Sequence, residues 1–173
     1  MLDGLIKLLE WIAQIWEQHL SPFIVLSDYE EGVVLRMGRY KKNLVKGINF
    51  KMPLMDYTMT VIVTKDTYHV ANVNVTTIDG KTISVGSIVE FNIVDVKKYF
   101  LDVNEAQSNA HDITRGVIAD YLSDCEWEEV KKKTTLTQIK NKLRPQLESM
   151  GMNITQVMFG DIAQSKVYTV FKE

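Results

Sequence analysis

The stretch EEGVVLRMGRYKKNLVKGINFKMPLMD, Glu30 to Asp56, decides the fold. It starts as a strand, because Val33, Val34 and Leu35 favour extended backbone between Gly32 and Gly38. It continues as a loop bearing Arg39, Lys41, Lys42 and Lys46, then returns to a short strand from Ile48 to Met52 that Pro53 ends. Between Gly32 and Met55 stand six basic residues and no acidic one. Upstream, Leu2 to Leu20 has helical periodicity and is too apolar for an ordinary surface helix. Pro22 and the run Phe23-Ile24-Val25-Leu26 carry that apolar character into the domain. A greasy helix, a hairpin, a basic loop and a small β-rich body, in that order, imply a domain seated on a membrane.

Downstream the pattern is a half-buried β-meander. Tyr57 to Lys65 reads as one strand, and Tyr68 to Ile78 and Lys81 to Val94 flank Asp79-Gly80, a favoured type I′ turn. A two-residue turn sets Ile78 against Lys81, Tyr68 against Phe91, Val70 against Val89 and His69 against Glu90. The His69–Glu90 pair invites an acid–base reading, but no nucleophile or third polar group is expected beside it, so a cross-strand surface pair is the better account.

The second half turns helical. Asn104 with Gln107 forms a candidate capping box for a helix to about Cys125, with Ala110, Ile113, Val117, Ile118, Tyr121 and Leu122 at helical spacing and His111 beside that face. Glu126 to Lys133 is a charged connector. Thr135 with Gln138 then caps a second helix carrying Leu136, Ile139, Leu143 and Leu147, which Pro145 should kink. Gly151 suits the position just past a helix end, before a last strand from Asn153 to Ile162.

These pieces resemble the SPFH family (stomatin, prohibitin, flotillin and HflK/C, also called Band 7). In that family E-x-G-V-V-x-R-x-G-K/R leads to K-G-L/I-x-F-x-x-P, here Glu30 to Arg39 and Lys46 to Pro53. A T-x-D-G hairpin follows, matched by Thr77, Asp79, Gly80, Lys81, Thr82, Ile83 and Val85. An I-x-D-x-x-K-Y element is matched by Ile93, Asp95, Lys98 and Tyr99, and the closing strand by Gly151, Met152, Ile154, Val157, Asp161 and Ile162. The resemblance implies an α+β fold, with an antiparallel or mixed β-sheet and two packed helices. It also implies a minimal version of the family, because members usually continue into a long heptad-rich tail whereas this sequence ends eleven residues after Ile162.

The N-terminal segment has its own geometry. Asp3, Lys7, Glu10, Gln14 and Glu17 fall in one stripe roughly 80° wide at 100° per residue. Leu5, Leu8, Leu9, Trp11, Ile12, Ile15 and Trp16 lie on the apolar remainder. Three environments fit: a lipid interface, packing within an oligomer, or a bilayer crossing. Nineteen residues make about 28 Å of helix, barely a hydrocarbon thickness, and buried charges oppose crossing. No basic n-region or small-residue cleavage site marks a signal peptide. The acidic stripe is unusual for an interfacial helix, and the basic loop can offset it at an anionic leaflet. A solvated loop, or pairing with Glu10 and Glu17, remain the other readings of those lysines.

The chain has 173 residues, a net charge of −2 and one cysteine, Cys125, which excludes an intramolecular disulfide and a CxxC site. Acidic neighbours Asp124 and Glu126 make that thiol unreactive in expectation. No phosphate loop, zinc spacing or Ser/His/Asp grouping is visible, so no catalytic residue, metal or cofactor is expected, and the charge balance does not point to nucleic acid.

The expected organisation is a membrane-associated amphipathic helix over residues 1–22 and an SPFH domain over 23–173, β-rich to about 94 and α/β beyond. Expected membrane contacts are Leu5, Leu8, Leu9, Trp11, Ile12, Ile15, Trp16 and Phe23; expected headgroup contacts are Arg39, Lys41, Lys42 and Lys46. The expected role is a non-enzymatic scaffold on the cytoplasmic face of a membrane, and the resemblance implies that it oligomerises as a ring and organises a microdomain. The alternatives are a regulator of a membrane protease or channel, and a soluble oligomeric module whose apolar helix is a subunit interface.

Overall fold

A computed structural model describes residues 21–165 together with Gly4, Ile6, Lys7 and Glu10. The helix expected over Leu2 to Leu20 lies outside the described residues except at those four positions. The chain divides into two compact units, Met1–Val63 and Thr64–Glu173.

The first unit is built from five short strands: β1 (Phe23–Leu26), β2 (Glu30–Arg36), β3 (Arg39–Leu44), β4 (Gly47–Phe50) and β5 (Asp56–Ile62). β1 pairs only with β4, and β2 lies between β3 and β5. Among the described residues Leu26, Val34 and Leu44 form a core cluster, with Ile24 packed against them. The basic segment expected as a loop is instead strand β3, with Arg36 opposite Arg39 and Val34 opposite Lys42. Lysine-rich sequence hides a strand because only Leu44 of β3 is buried; the rest is an exposed edge, where charge also discourages edge-to-edge pairing.

The second unit contains β6 (Asp66–Thr76), β7 (Thr82–Ile93) and β8 (Met152–Ser165), with β7 central. Between β7 and β8 come a π-helical turn (Lys98–Asp102), α1 (Ala106–Ser123), a short α2 (Trp127–Val130) and α3 (Lys133–Ser149). α1 packs on β6, α3 on β8, and the two long helices on each other. All strand pairings are antiparallel. The buried stripe of α1 is Ala106, Ala110, Thr114, Ile118 and Leu122, and that of α3 is Thr135, Ile139, Leu143 and Leu147. Both recur every four residues, as a helix laid on a sheet requires.

Several local expectations are corrected. The β6–β7 connection has three residues, not two: Gly80 N–H donates to Thr77 O at 2.9 Å and Thr77 N–H to Lys81 O at 3.0 Å. Gly80 is left-handed (φ 74), as in the three-residue loop that joins a type I turn to a bulge. The Thr77 hydroxyl donates to the Asp79 carboxylate, tightening the loop. A further bulge between Val70 and Val73 moves the register again, so Tyr68 faces Val89 and His69 faces Ile88. Tyr68 and Phe91 still touch as diagonal neighbours, with centroids 5.3 Å apart. Glu90 faces Thr67 and pairs with Lys65 at 3.0 Å, so the His69–Glu90 pair does not exist.

Neither capping box forms. Glu105 precedes α1 in a left-handed conformation without a side-chain cap, and the Asn109 amide donates instead to Asn104 O at 2.7 Å. α3 starts at Lys133, and the Thr135 hydroxyl within its first turn reaches back to Glu129 O at 2.7 Å. α3 runs through Pro145 to Ser149. The charged connector contains α2.

Candidate functional site

Strand pairing sorts the residues of β1 and β4 onto two faces. Phe23 lies opposite Phe50 and Val25 opposite Ile48, so these four share one face; Ile24 and Leu26 point the other way, into the core. All four are exposed, and the Phe23 and Phe50 rings meet edge to face at 5.9 Å. A strand pair with one buried and one solvent-facing apolar side is poor design for a surface that meets only water.

Beyond Phe50 the 51–55 loop continues this apolar surface with exposed Met52, Leu54 and Met55. The loop is tied at both sides. Lys51 N–H donates to Pro22 O at 2.8 Å, and Met37 N–H donates to Met55 O at 3.0 Å. One end of the unit therefore gathers Pro22, Phe23, Phe50, the 51–55 loop and the Met37–Gly38 turn.

Asp56 holds this end together. Its carboxylate receives Arg36 Nε at 2.7 Å and a second guanidinium N–H at 3.0 Å, and also the Met52 N–H at 2.7 Å. Its side chain is only 1% exposed against 36% for Arg36. The Arg36 guanidinium, helped by the Met52 N–H, holds the Asp56 carboxyl down at about 2. One acidic group thus joins β2, β5 and the loop while its charge is neutralised.

The expected headgroup contacts do not form one cluster. Arg39 follows the Met37–Gly38 turn, and Lys42 lies on the Arg36 face, close enough to act on the Asp56 charge. Lys41 sits at a bulge between them. Lys46 is at the far end of β3, 3.7 Å from Asp28. At about 3.4 Å per residue, β3 alone sets Leu44 about 17 Å from Arg39, and Lys46 comes after it. Of the expected membrane contacts Phe23 is exposed; Leu5, Leu8, Leu9, Trp11, Ile12, Ile15 and Trp16 lie outside the described residues. Sequence reading missed Ile48 and Phe50, although their alternation about Asn49 was there to be seen; it also missed Val25, which lies in the unbroken apolar run Phe23 to Leu26, and Met37, Leu54 and Met55, which carry no such pattern.

Residues 24–170 match the family described as SPFH domain / Band 7 family. The chain belongs to the SPFH family. Among its relatives is an uncharacterized protein of Archaeoglobus fulgidus, 24% identical over 145 residues, which are 83% of this chain and 58% of that protein. Another, from Methanocaldococcus jannaschii, is 22% identical and covered over 73% of its length. The modulator of FtsH protease HflK of Escherichia coli is 26% identical over 155 residues, 86% of this chain and 36% of HflK. The chain thus spans little more than half of the Archaeoglobus relative and about a third of HflK.

Within this SPFH domain, the motif residues of the second unit build architecture. Asp95 and Val94 donate their N–H groups to Gly151 O at 3.1 and 2.9 Å, and the Asp95 carboxylate accepts Lys97 and Lys98 N–H at 3.1 Å. Gly151 is left-handed (φ 80), and a Cβ there would stand 2.2 Å from Asp95 O. Tyr68 is buried with its hydroxyl 2.7 Å from Thr114 and its ring tilted against His111, with centroids 4.3 Å apart. His111 is thus a packing partner. Cys125 is buried, and burial first, then Glu129, pushes its thiol up, away from reactivity. No helix among the described residues is long and apolar enough to cross a membrane.

Proposed function

We propose that this SPFH domain is a non-enzymatic scaffold that seats the apolar, basic end of its first unit on an anionic membrane surface and associates side by side with copies of itself. The observation that carries this reading is the solvent-facing quartet Phe23, Val25, Ile48 and Phe50, followed in the chain by Lys51 and by exposed Met52 and Leu54, in a unit whose strand β3 also carries Arg39 and Lys42. Fully burying one such side chain is worth about 1.5–3 kcal/mol, and each cation near an anionic leaflet about 1 kcal/mol. Few surfaces besides lipid accept both at once. The apolar sequence from Leu2 to Leu20 enters the domain at this same end, through Pro22.

Lateral association, closing as a ring on the cytoplasmic face and organising a microdomain, is the family-based part of the proposal; copies related head to tail either close or run on as filaments. The full chain, mixed with vesicles containing an anionic phospholipid, should float with them and show multiple copies by light scattering in mild detergent. A folded protein that stays at the bottom of the gradient, or is monomeric across concentrations, rejects the reading.

A second reading, a regulator of a membrane-bound protease, is supported by similarity to the modulator of FtsH protease HflK. It predicts that cleavage of a reporter by a membrane protease changes when the chain is present in the same vesicles. Unchanged cleavage rejects it.

A further inference from the structure

Two of the left-handed positions at the apolar end of the first unit carry a large apolar residue where glycine or asparagine normally sits. Met37 has φ 49 and Gly38 φ 79, so both central residues of the β2–β3 turn are left-handed, the type I′ arrangement that favours Asn-Gly. Leu54 has φ 65 in the neighbouring loop. Neither side chain repays its backbone strain by burial, since Met37 is 78% and Leu54 84% exposed. Strain that burial does not repay is a reason to ask what the side chain does outside the fold.

The two turns are held side by side. Met37 N–H bonds to Met55 O at 3.0 Å, and Asp56 closes the loop on Met52 from one side and Arg36 from the other. Between them is a hollow of about 520 Å³ lined by Leu35, Met37, Pro53, Leu54, Met55 and Tyr57, with Lys51 also on its wall.

We propose that Met37 and Leu54 form a paired lipid wedge, with acyl chains of an anionic phospholipid entering the hollow between them and Lys51 and Arg39 meeting the phosphate. The occupant is lipid for three reasons. The two side chains stand on tight turns, a convex shape that penetrates a deformable surface more readily than it fills a rigid partner. Arg39 and Lys51 give the surroundings positive charge, while the one carboxylate there, Asp56, is already neutralised by Arg36. The wedge also continues the exposed face of Phe23 and Phe50 through the 51–55 loop. This inference rests on the membrane reading above, and identifies which residues enter the bilayer and at what cost to the fold.

That cost gives a test with two readouts of opposite sign. Met37→Asn restores an Asn-Gly turn and Leu54→Gly relieves the second left-handed residue. Each should raise the thermal midpoint of the full chain by about 2–4 °C. Each should also lower the partition into vesicles containing anionic phospholipid, by about tenfold. Ile78→Asn, at an exposed apolar position of the second unit, is the control and should leave binding unchanged. A wild-type chain that binds no vesicle overturns this proposal together with the reading beneath it. Wild-type binding that Met37→Asn and Leu54→Gly leave intact overturns the wedge alone. Variants that bind less and also melt earlier assign the two residues to packing and reject the wedge. Unchanged vesicle binding with a shift from oligomer to monomer assigns the turns to a contact between copies, and rejects it too.

Discussion

The two units of this chain use apolar residues in opposite ways. Among the described residues, fourteen of the eighteen large hydrophobic side chains that face solvent belong to the first unit, which is the shorter. Among the described residues the second unit holds 23 of the 27 buried hydrophobic ones, and the large hydrophobics it exposes are Ile78, Val94, Leu101 and Ile162. The second unit lays two helices on a three-stranded sheet and buries the stripe of each. The first keeps a core of a few residues and turns the rest of its apolar surface outward, around a salt bridge and two tied turns. Composition alone does not distinguish the two; strand register does, because it decides which member of each apolar pair faces inward.

The largest expected effect breaks the comparison on its outer side. Replacing Phe23, Val25, Ile48 and Phe50 together by Ser removes about 3–6 kcal/mol of membrane affinity even if each is half-buried in lipid, so vesicle flotation should be abolished while the circular dichroism spectrum is retained. In the second unit the same kind of truncation should act on folding instead. Ile118→Ala or Leu143→Ala leaves a cavity in a fully buried stripe and should cost about 2–5 kcal/mol in a denaturant titration, with vesicle affinity of the folded fraction unchanged.

Charge separates the ends of β3. Neutralising Arg39 and Lys42 should weaken binding to anionic vesicles by about 2 kcal/mol, roughly thirtyfold, and flatten its salt dependence. Neutralising Lys46, paired with Asp28 at the opposite end, should change it little. Equal losses from both would mean that the hairpin lies flat on the surface.

Much of this was legible in the sequence, and its failures have physical causes. Val33 to Leu35, the Asp79-Gly80 turn, the helical stripes and Gly151 declare themselves because periodicity and a left-handed glycine are local signals. Strand β3 was hidden because lysines on an exposed edge carry no burial pattern. The β6–β7 register was misread by one to two residues, because a three-residue loop and a bulge look like Asp-Gly and ordinary alternation until paired. The headgroup site was read as one run, but β3 separates Arg39 from Lys46. Met37 and Leu54 gave no signal at all, since neither residue type announces a left-handed turn.

Acid should act on the first unit through Asp56. Its carboxyl is held at about 2 against an ordinary 3.8, so the folded state binds fewer protons than the unfolded chain between these values. The stability it provides is fully present above about pH 4 and is lost as pH falls toward 2. Asp56→Asn should lower the thermal midpoint at neutral pH and flatten that acid limb; an unaltered acid profile would show that the bridge does not hold the turns. The smallest effect concerns the buried Tyr68–Thr114 bond. Tyr68→Phe leaves the Thr114 hydroxyl unpartnered and should cost about 1–2 kcal/mol, part of which Thr114→Val should restore in the double variant.

The central claim, that the outward apolar end of the first unit enters lipid, is tested most directly by depth. A polarity-sensitive fluorophore is placed at Leu54→Cys, Lys46→Cys or Ile78→Cys in a Cys125→Ala background, and quenched by brominated lipid in anionic vesicles. The account predicts a blue shift and strong quenching at position 54, with neither at 46 nor 78. Quenching that is absent at 54, or equal at all three positions, would contradict it.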